Sequence, residues 1–236
     1  MKPLAAANDP GPPSRAAREL ERREAFMGVA AAVFRRQGLA GATMEQIAAA
    51  AGVTKMVLYR RFPSKDALIV AIFAEVIRRL KLGDAKPWRG YGDGMRKSLA
   101  AARSFQDGFL LLVRQGDLNP TYQASHASLR RRTGQRLRGL LWYPNAPPPV
   151  AERPPMLDLA LEPMISFCND ALAYWLEQGH PSRDELFLRW YGQMVQAWRR
   201  NACELLNLDS PEQDWPFDTE VFLPDFSNEE KPYGEP

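Results

Sequence analysis

Apolar residues recur along most of this chain at intervals of three and four positions, the spacing that places them on one face of an α-helix. The first such pattern runs from Arg18 to Gln37 and stops at Gly38, a residue type that commonly follows the last turn of a helix. Five longer patterns come later, at about Gly94–Gln106, Gly108–Gly116, Thr121–Trp142, Met156–Gln178 and Ser182–Asn207. No stretch alternates apolar and polar residues as a half-buried strand does. The pattern therefore predicts an all-α protein.

After the first helix, three further helices are predicted in quick succession, which makes about nine in all. Each has a hydroxyl side chain at its start, where the oxygen accepts a hydrogen bond from a free backbone N–H group: Thr43, Thr54 and Ser64. Gly52 separates the first two, and Pro63 ends the second because proline disrupts a helix. These short helices predict a compact N-terminal unit.

The composition is that of an ordinary folded protein, with 45% hydrophobic and 25% charged residues over 236 positions. The sequence lacks a run of about 18 apolar residues, so it predicts no membrane-spanning helix. Its first residues lack the apolar core of a secretory signal, and Cys168 and Cys203 fit neither a disulfide framework nor a common zinc pattern. We therefore expect a cytoplasmic protein without a bound metal or cofactor.

The two ends of the chain carry opposite charge, although the whole has a net charge of only +3. Residues 1–65 hold eleven basic residues against five acidic ones, a balance of +6. Residues 208–236 hold one basic residue against nine acidic ones, a balance of −8. An anionic partner, if there is one, is expected at the N-terminal end. The asymmetry alone is equally consistent with two solvated faces.

The stretch from Ala42 to Phe62 has the spacing of two helices joined by a tight turn at Gly52. Apolar residues of both helices form the seam between them: Ile47, Ala48, Ala51, Val53, Leu58 and Phe62. With these inside, the outward residues of the second helix are Thr54, Lys55, Met56, Tyr59 and Arg60, with Val57 at the margin. A helix presented in this way fits the major groove of B-DNA, where its N-terminal residues reach base edges. The alternative is a helical corner with no DNA role.

These residues resemble the tetracycline-repressor (TetR) family of transcriptional regulators. The resemblance is carried by Gly41-Ala42-Thr43, Ile47-Ala48, Ala51-Gly52-Val53-Thr54-Lys55, Leu58-Tyr59, Phe62 and Ser64-Lys65-Asp66-Ala67-Leu68. It implies that the helix beginning near Thr54 is the recognition helix and that Lys55, Tyr59 and Lys65 bind phosphate. It also implies that Thr43 caps the supporting helix and touches the DNA backbone. Lysine charge, a rigid tyrosine hydroxyl and a helix N-terminus all suit phosphate binding.

Two positions of the recognition helix depart from the family's usual residues. Met56 stands where many relatives have a small residue, and Val57 stands where threonine is frequent. Neither side chain donates a strong hydrogen bond, so apolar contact with thymine methyl groups is the base contact available to them. Arg60 and Arg61 widen the basic surface, or one of them pairs with an acid.

The resemblance weakens after about residue 80 and returns at Leu172–Pro181, which is followed by a long helix. In relatives the last two long helices form a four-helix bundle with a second subunit, which implies a homodimer. The candidate contact residues are Ile165, Leu172, Leu176, Leu186, Trp190, Met194 and Trp198, each equally consistent with the core of a single subunit. Two-fold pairing presents two recognition helices to major grooves about 34–36 Å apart, which favours a palindromic operator.

Aromatic and mixed-polarity residues in the C-terminal region suggest a pocket for an apolar or aromatic effector. The candidates are Phe105, Phe109, Tyr122, His126, Trp142, Met164, Phe167 and Asn169. Such residues at helical spacing are, as an alternative, simply core. One helix also carries five arginines: Arg130, Arg131, Arg132, Arg136 and Arg138. This pattern favours a helix face that is solvated or that binds the acidic tail. The alternative is a face that binds DNA or an acidic effector.

The chain thus divides into a disordered arm at 1–17, a helix-turn-helix DNA-binding domain at 18–67, a ligand-binding and dimerisation domain at 68–207 and an acidic tail at 208–236. We expect a homodimeric transcriptional repressor that a small-molecule effector releases from operator DNA. A phosphate-binding loop, a nucleophile elbow and a paired acid–base motif are all missing, so we expect no enzyme and assign no catalytic residue. The alternative is a helical small-molecule-binding protein or enzyme without a DNA role. Activation is compatible with the same DNA contacts.

Overall fold

The computed structural model describes residues 14–84, 91–142 and 156–208. Within these stretches the chain forms nine α-helices and no strand, which confirms the all-α prediction. The helices are α1 (Arg15–Gly41), α2 (Met44–Ala50), α3 (Lys55–Arg61), α4 (Lys65–Asp84), α5 (Tyr91–Arg103), α6 (Gln106–Gln115), α7 (Pro120–Trp142), α8 (Leu157–Gln178) and α9 (Asp184–Leu205). Most of the expected N-terminal arm, residues 143–155 and nearly all of the expected acidic tail lie outside the described residues.

The chain divides into two compact units after Ala74. The first contains α1, α2, α3 and the beginning of α4, and the second contains the rest of α4 with the remaining helices. The sequence placed the boundary at residue 67, near the start of α4, whereas the packing changes inside that helix. α4 is therefore the one described helix that both units share.

The first unit has a small core made by α1, α2, α3 and the residue after α3. Its most deeply buried side chains include Phe34, Ile47, Leu58 and Phe62. Burying a side chain of this size stabilises the unit by roughly 1.5–3 kcal/mol relative to exposing it. Ala51 and Val53 are half-buried at the edge of the predicted seam. α1 leaves helical geometry at Gly38, whose φ is 77°, so the predicted end of the first helix coincides with a break in the chain's course.

The starts of the short helices follow the predicted caps in two of three cases. At α2, Thr43 Oγ1 accepts a hydrogen bond from the Gln46 N–H while the Gln46 side chain accepts one from the Thr43 N–H, which is a complete capping box. At α4, Ser64 Oγ accepts a bond of 3.0 Å from the Ala67 N–H. Thr54 occupies the capping position of α3, but its side chain makes no capping bond, so this part of the prediction is wrong.

The second unit is a helical bundle in which α7 packs along α8, α6 lies on α8, and α5 contacts α9. Aromatic rings join α8 to α9: Trp175 stacks on Phe187 with ring centroids 4.9 Å apart, and Phe167 stacks on Tyr191 at 5.8 Å. These contacts fix the α8–α9 hairpin and enclose the interior of the bundle. Within the described ranges, each helix is too short or too polar to cross a membrane.

Candidate functional site

The outer face of α3 is open to solvent. Met56 has 81% of its surface exposed, and Thr54, Lys55, Tyr59 and Arg60 are exposed beside it. Val57 is half-buried, and Leu58 on the opposite face is fully buried. The exposure that a groove-reading helix requires is therefore present, while the DNA contacts themselves stay a prediction.

The corner between α2 and α3 depends on one backbone conformation. Gly52 has φ 65°, in the left-handed region that side chains other than glycine rarely adopt. The corner is closed by two backbone bonds: the Gly52 N–H donates to Ala49 O at 3.1 Å, and the Val53 N–H donates to Ala48 O at 3.0 Å. These bonds fix the angle at which α3 leaves α2 and hence the direction of its outer face.

Lys55 already has an anionic partner within the unit. Its Nζ donates to Glu45 Oε1 on α2 and lies 5.6 Å from the centroid of the Tyr59 ring. The hydrogen bond from Lys55 lowers the pKa of Glu45, and the same bond raises the pKa of Lys55. Both side chains are more than half exposed, so solvent screens the pair strongly. A DNA phosphate can therefore compete with Glu45 for this ammonium group.

Lys65 is half-buried and anchors the end of α1. Its Nζ donates to the carbonyl oxygens of Ala40 and Ala42, each at 3.2 Å. Two of its three N–H groups are thus satisfied by the protein. The other predicted backbone contact, Thr43, lies exposed at the start of α2. A phosphate contact by either residue stays a prediction.

Arginines of α1 extend the basic surface in a way that the sequence did not predict. A groove in the first unit is lined by Arg15, Glu19, Leu20, Arg23, Arg60 and Arg61. Arg61 is the arginine that pairs with an acid, since both its terminal nitrogens donate to the Glu19 carboxylate. Arg60 is exposed and remains a candidate for a DNA contact. In the sequence the α1 arginines are marked only by the positive charge balance of the N-terminal end, because they lie outside the helix-turn-helix.

A mostly apolar cavity lies inside the second unit. Its lining residues are Leu80, Met95, Ser98, Phe109, Leu129, Arg132, Thr133, Arg136, Leu137, Leu140, Cys168, Asn169, Leu172 and Tyr191. The cavity volume is about 50 Å³. That is room for a few waters and less than a typical effector fills. Burial raises the pKa of the Cys168 thiol to about 12, so this thiol is uncharged at neutral pH.

Two of the eight predicted effector contacts, Phe109 and Asn169, line this cavity. Asn169 Oδ1 accepts a hydrogen bond of 3.0 Å from the Thr133 hydroxyl. The other six lie elsewhere. Phe105 lies under the Arg79 guanidinium, Phe167 stacks on Tyr191, and Trp142 lies near Arg138. Tyr122 and Met164 are buried outside the cavity lining, and His126 is half-buried. Helical spacing along α7 indicates Leu129 and Leu137 as part of the missed lining, whereas Arg132 and Arg136 on the same face have the charge expected of a solvated one.

The seven predicted dimer contacts fall into three groups by burial. Ile165, Leu172 and Leu176 are buried within this chain, which favours the alternative interpretation of them as core. Trp198 is half-buried, and its Nε1 donates to Ala160 O at 2.7 Å. Leu186, Trp190 and Met194 are exposed at intervals of four on α9, and Leu159 and Tyr174 of α8 are exposed as well. These five residues, which we call the α8–α9 stripe, are large apolar side chains that the described part of the chain leaves exposed.

Comparison with known proteins gives a specific match for the N-terminal unit. Residues 26–72 match the family model described as bacterial regulatory proteins, tetR family. A segment of 87 residues is 36% identical to the HTH-type transcriptional activator FasR of Mycolicibacterium smegmatis, covering 37% of this chain and 40% of that protein. The chain thus spans less than half the length of this relative.

Solved structures match over most of the chain. A TetR-like transcriptional regulator from Rhodococcus sp. RHA1 has a TM-score of 0.58 at 18% identity, covering 82% of this chain and 99% of that one. AibR in complex with isovaleryl coenzyme A and operator DNA has a TM-score of 0.51 at 15% identity, covering 73% of this chain and 97% of that one. At these identities the likeness is one of fold.

Proposed function

We propose, because residues 26–72 match the model of the tetR family of bacterial regulatory proteins, that this chain is a homodimeric repressor that binds a palindromic operator in the cytoplasm. A small-molecule effector taken up by the second unit then releases it. The observation that carries the proposal is the exposed outer face of α3, held outward by the Gly52 corner. A helix end with exposed basic, hydroxyl and apolar side chains fits the major groove.

Some side chains of α3 contact the DNA backbone and others contact the bases. Lys55 exchanges Glu45 for a phosphate, and the Tyr59 hydroxyl donates to a neighbouring phosphate. Met56, the most exposed of the group, contacts thymine methyl groups, because a thioether offers no strong hydrogen bond to a base edge. Lys55 and Tyr59 therefore set affinity, and Met56 contributes to sequence preference.

The α8–α9 stripe supports the proposed homodimer. Three of its residues, Leu186, Trp190 and Met194, recur at intervals of four along α9, the spacing of a helix face that packs on another helix. An apolar face of this kind is covered by a second copy about a two-fold axis, which gives a palindromic operator.

The cavity of the second unit supports control by a small molecule. AibR, a protein of similar fold, forms a complex with both isovaleryl coenzyme A and operator DNA. By analogy, the cavity lined by Phe109 and Asn169 takes an effector with a large apolar part. The cavity has to widen to admit it, so the effector selects a conformation in which the cavity is larger.

The test is a selection of operator DNA from random duplexes, followed by affinity measurements over a range of salt concentrations. Lys55→Ala and Tyr59→Phe are each expected to weaken operator binding by on the order of 1 kcal/mol, about fivefold. Lys55→Ala should also make the salt dependence shallower, because one phosphate contact is lost. Lys81→Ala removes an exposed lysine of the second unit and is the matched control, with no expected effect.

Three outcomes contradict parts of this proposal. If both α3 variants bind the operator with wild-type affinity, Lys55 and Tyr59 do not bind phosphate. A selection that enriches no sequence, together with specific binding or turnover of a small molecule, supports a helical protein without a DNA role. If the expression of a reporter gene rises when the protein occupies the operator, the protein is an activator and not a repressor.

A further inference from the structure

The effector cavity contains a pair of arginines that the function proposed above does not use. Arg132 and Arg136 lie one turn apart on α7, and both line the cavity. The side chain of Arg132 is only 10% exposed. Much of the surrounding lining is aliphatic, from residues such as Leu129, Leu137 and Leu140. A guanidinium in such surroundings requires an anionic partner, because an unpaired charge is poorly solvated there.

The pair shares one carboxylate. Arg132 Nε and Nη2 donate to the two oxygens of Asp84 at 2.6 and 2.8 Å, and Arg136 Nη1 donates to Asp84 Oδ1 at 3.0 Å. Arg136 Nη1 also donates to the Ser98 hydroxyl at 2.7 Å. In the parts of the chain that the structure describes, Asp84 is the acid within ion-pair distance of either arginine. Two positive charges therefore face one negative charge.

The strain on this arrangement is electrostatic. Burial lowers the pKa of Arg132, and the neighbouring charge of Arg136 acts in the same direction, while the hydrogen bond to Asp84 opposes both. A second guanidinium close to the first is favourable only when anionic charge lies between them. A stronger or better-placed anion than Asp84 would thus relieve the repulsion between Arg132 and Arg136.

We propose that the effector, in the function proposed above, is an aliphatic carboxylate whose head group replaces Asp84 on Arg132 and Arg136. A free carboxylate matches the planar fork of a guanidinium with two parallel hydrogen bonds, as Asp84 does here. Its chain lies among the leucines of the cavity. Asp84 is the last residue of α4 and its side chain is one-third exposed, so it can move from the arginines into solvent.

This exchange also frees the two arginines for the ligand. The cavity holds only a few waters, and the Asp84 carboxylate is bonded to two of its lining residues without lining it itself. When that side chain leaves, both guanidinium groups can bind the ligand head group, and the aliphatic lining has to separate to admit the chain. Asp84 therefore acts as an internal competitor that a ligand carboxylate must displace.

The experiment measures binding of straight-chain carboxylates, from hexanoate to dodecanoate, to the full chain by calorimetry. Each acid is compared with the primary alcohol of the same length. The acid is expected to bind about tenfold or more tightly than its alcohol, because its hydrogen bonds are charge-assisted. Arg132→Gln and Arg136→Gln should abolish this preference. Arg131→Gln, an exposed neighbour on the same helix, should leave it unchanged.

The Asp84→Asn variant tests whether Asp84 competes with the ligand carboxylate or only bridges the two arginines. Loss of the competing carboxylate is expected to raise the affinity for the acids several-fold, by about fivefold if one charge-assisted bond is relieved. A structural role predicts weaker binding instead. Melting temperatures show which variants are folded; if Arg132→Gln does not fold, Arg136→Gln, whose side chain is more exposed, answers the same question.

The outcomes distinguish this inference from the function on which it rests. Equal affinity for acid and alcohol, weaker binding to Asp84→Asn, or binding of acyl coenzyme A thioesters but not of the free acids overturns the inference, while operator selection without ligand can still succeed. Failure of operator selection, with acid binding intact, overturns the DNA role and leaves the carboxylate site standing.

Discussion

At the residue scale, neighbouring positions in the helix-turn-helix have opposite requirements. Gly52 must adopt a positive φ, Leu58 must be buried, and Met56 must be exposed for α3 to face DNA. The first two requirements concern folding, and the third concerns function alone. Substitutions at these positions can therefore separate stability from binding.

Gly52→Ala is expected to destabilise the protein by about 1 kcal/mol or more, because a Cβ disfavours the left-handed conformation. Gly28→Ala is the matched control with the opposite sign. Gly28 lies inside α1, and a Cβ there meets no heavy atom within 4 Å. That change should stabilise by about 0.5–1 kcal/mol through helix propensity. Urea unfolding followed by circular dichroism measures both, and equal effects would show that the corner does not require glycine.

Sequence reasoning succeeded where a residue's role is set by its own conformation and failed where the role depends on a distant partner. Gly52 was predicted because its neighbours on both sides are helical and only glycine suits the turn. Arg132 and Arg136 were taken for a solvated face, because nothing adjacent in sequence indicates that Asp84 meets them across the bundle. The charges of one helix do not reveal which of its faces is buried.

At the scale of the helix, the two threonine caps of the helix-turn-helix differ in strength. Thr43 makes a reciprocal capping box at α2, whereas the Thr54 side chain makes no capping bond at α3. A hydroxyl not engaged in capping is free to contact DNA. The same residue type thus serves mainly folding at one helix start and is available for binding at the next.

Thr43→Ala should cost about 1 kcal/mol of stability, the usual contribution of a capping hydroxyl. Thr54→Ala should leave stability almost unchanged and weaken operator binding instead. Thermal unfolding and operator affinity are measured on both variants. Equal loss of stability in the two proteins would argue that Thr54 caps α3 in solution.

Helix positions were predictable to within a few residues, because the apolar period and the capping residues are local signals. α5 begins at Tyr91 and not at Gly94, and α1 begins at Arg15 and not at Arg18. Both differences fall at helix starts with weak capping signals. The breaks at Gly38 and Gly52 were placed correctly, since a positive φ at either position selects glycine.

At the scale of the whole molecule, the α8–α9 stripe is the surface that assembly would cover. Residues that face the core and residues that face a partner follow the same apolar period. The predicted set of dimer contacts therefore contained both kinds. Burial separates them: Leu172 is inside, and Met194 is outside. The proposed dimer contact therefore retains only the exposed members of the sequence-predicted set.

Met194→Glu is expected to weaken the proposed dimerisation by about 2 kcal/mol or more, about thirtyfold, because it places a charge in the apolar α8–α9 stripe. Leu118→Glu alters an exposed leucine between α6 and α7 and is the control, with no expected effect. Sedimentation equilibrium measures the association. Operator affinity should fall with dimerisation, and a dimer unaffected by Met194→Glu would place the interface elsewhere.

The division of the chain after Ala74 gives the protein an intrinsic optical reporter. All six tryptophans follow that point in the sequence, so their fluorescence reports on the second unit and is silent for the first. Quenching or a spectral shift on adding a ligand can thus be read without any label. Comparing that signal with the far-ultraviolet dichroism of the whole chain tells whether the first unit melts alone or together with the second.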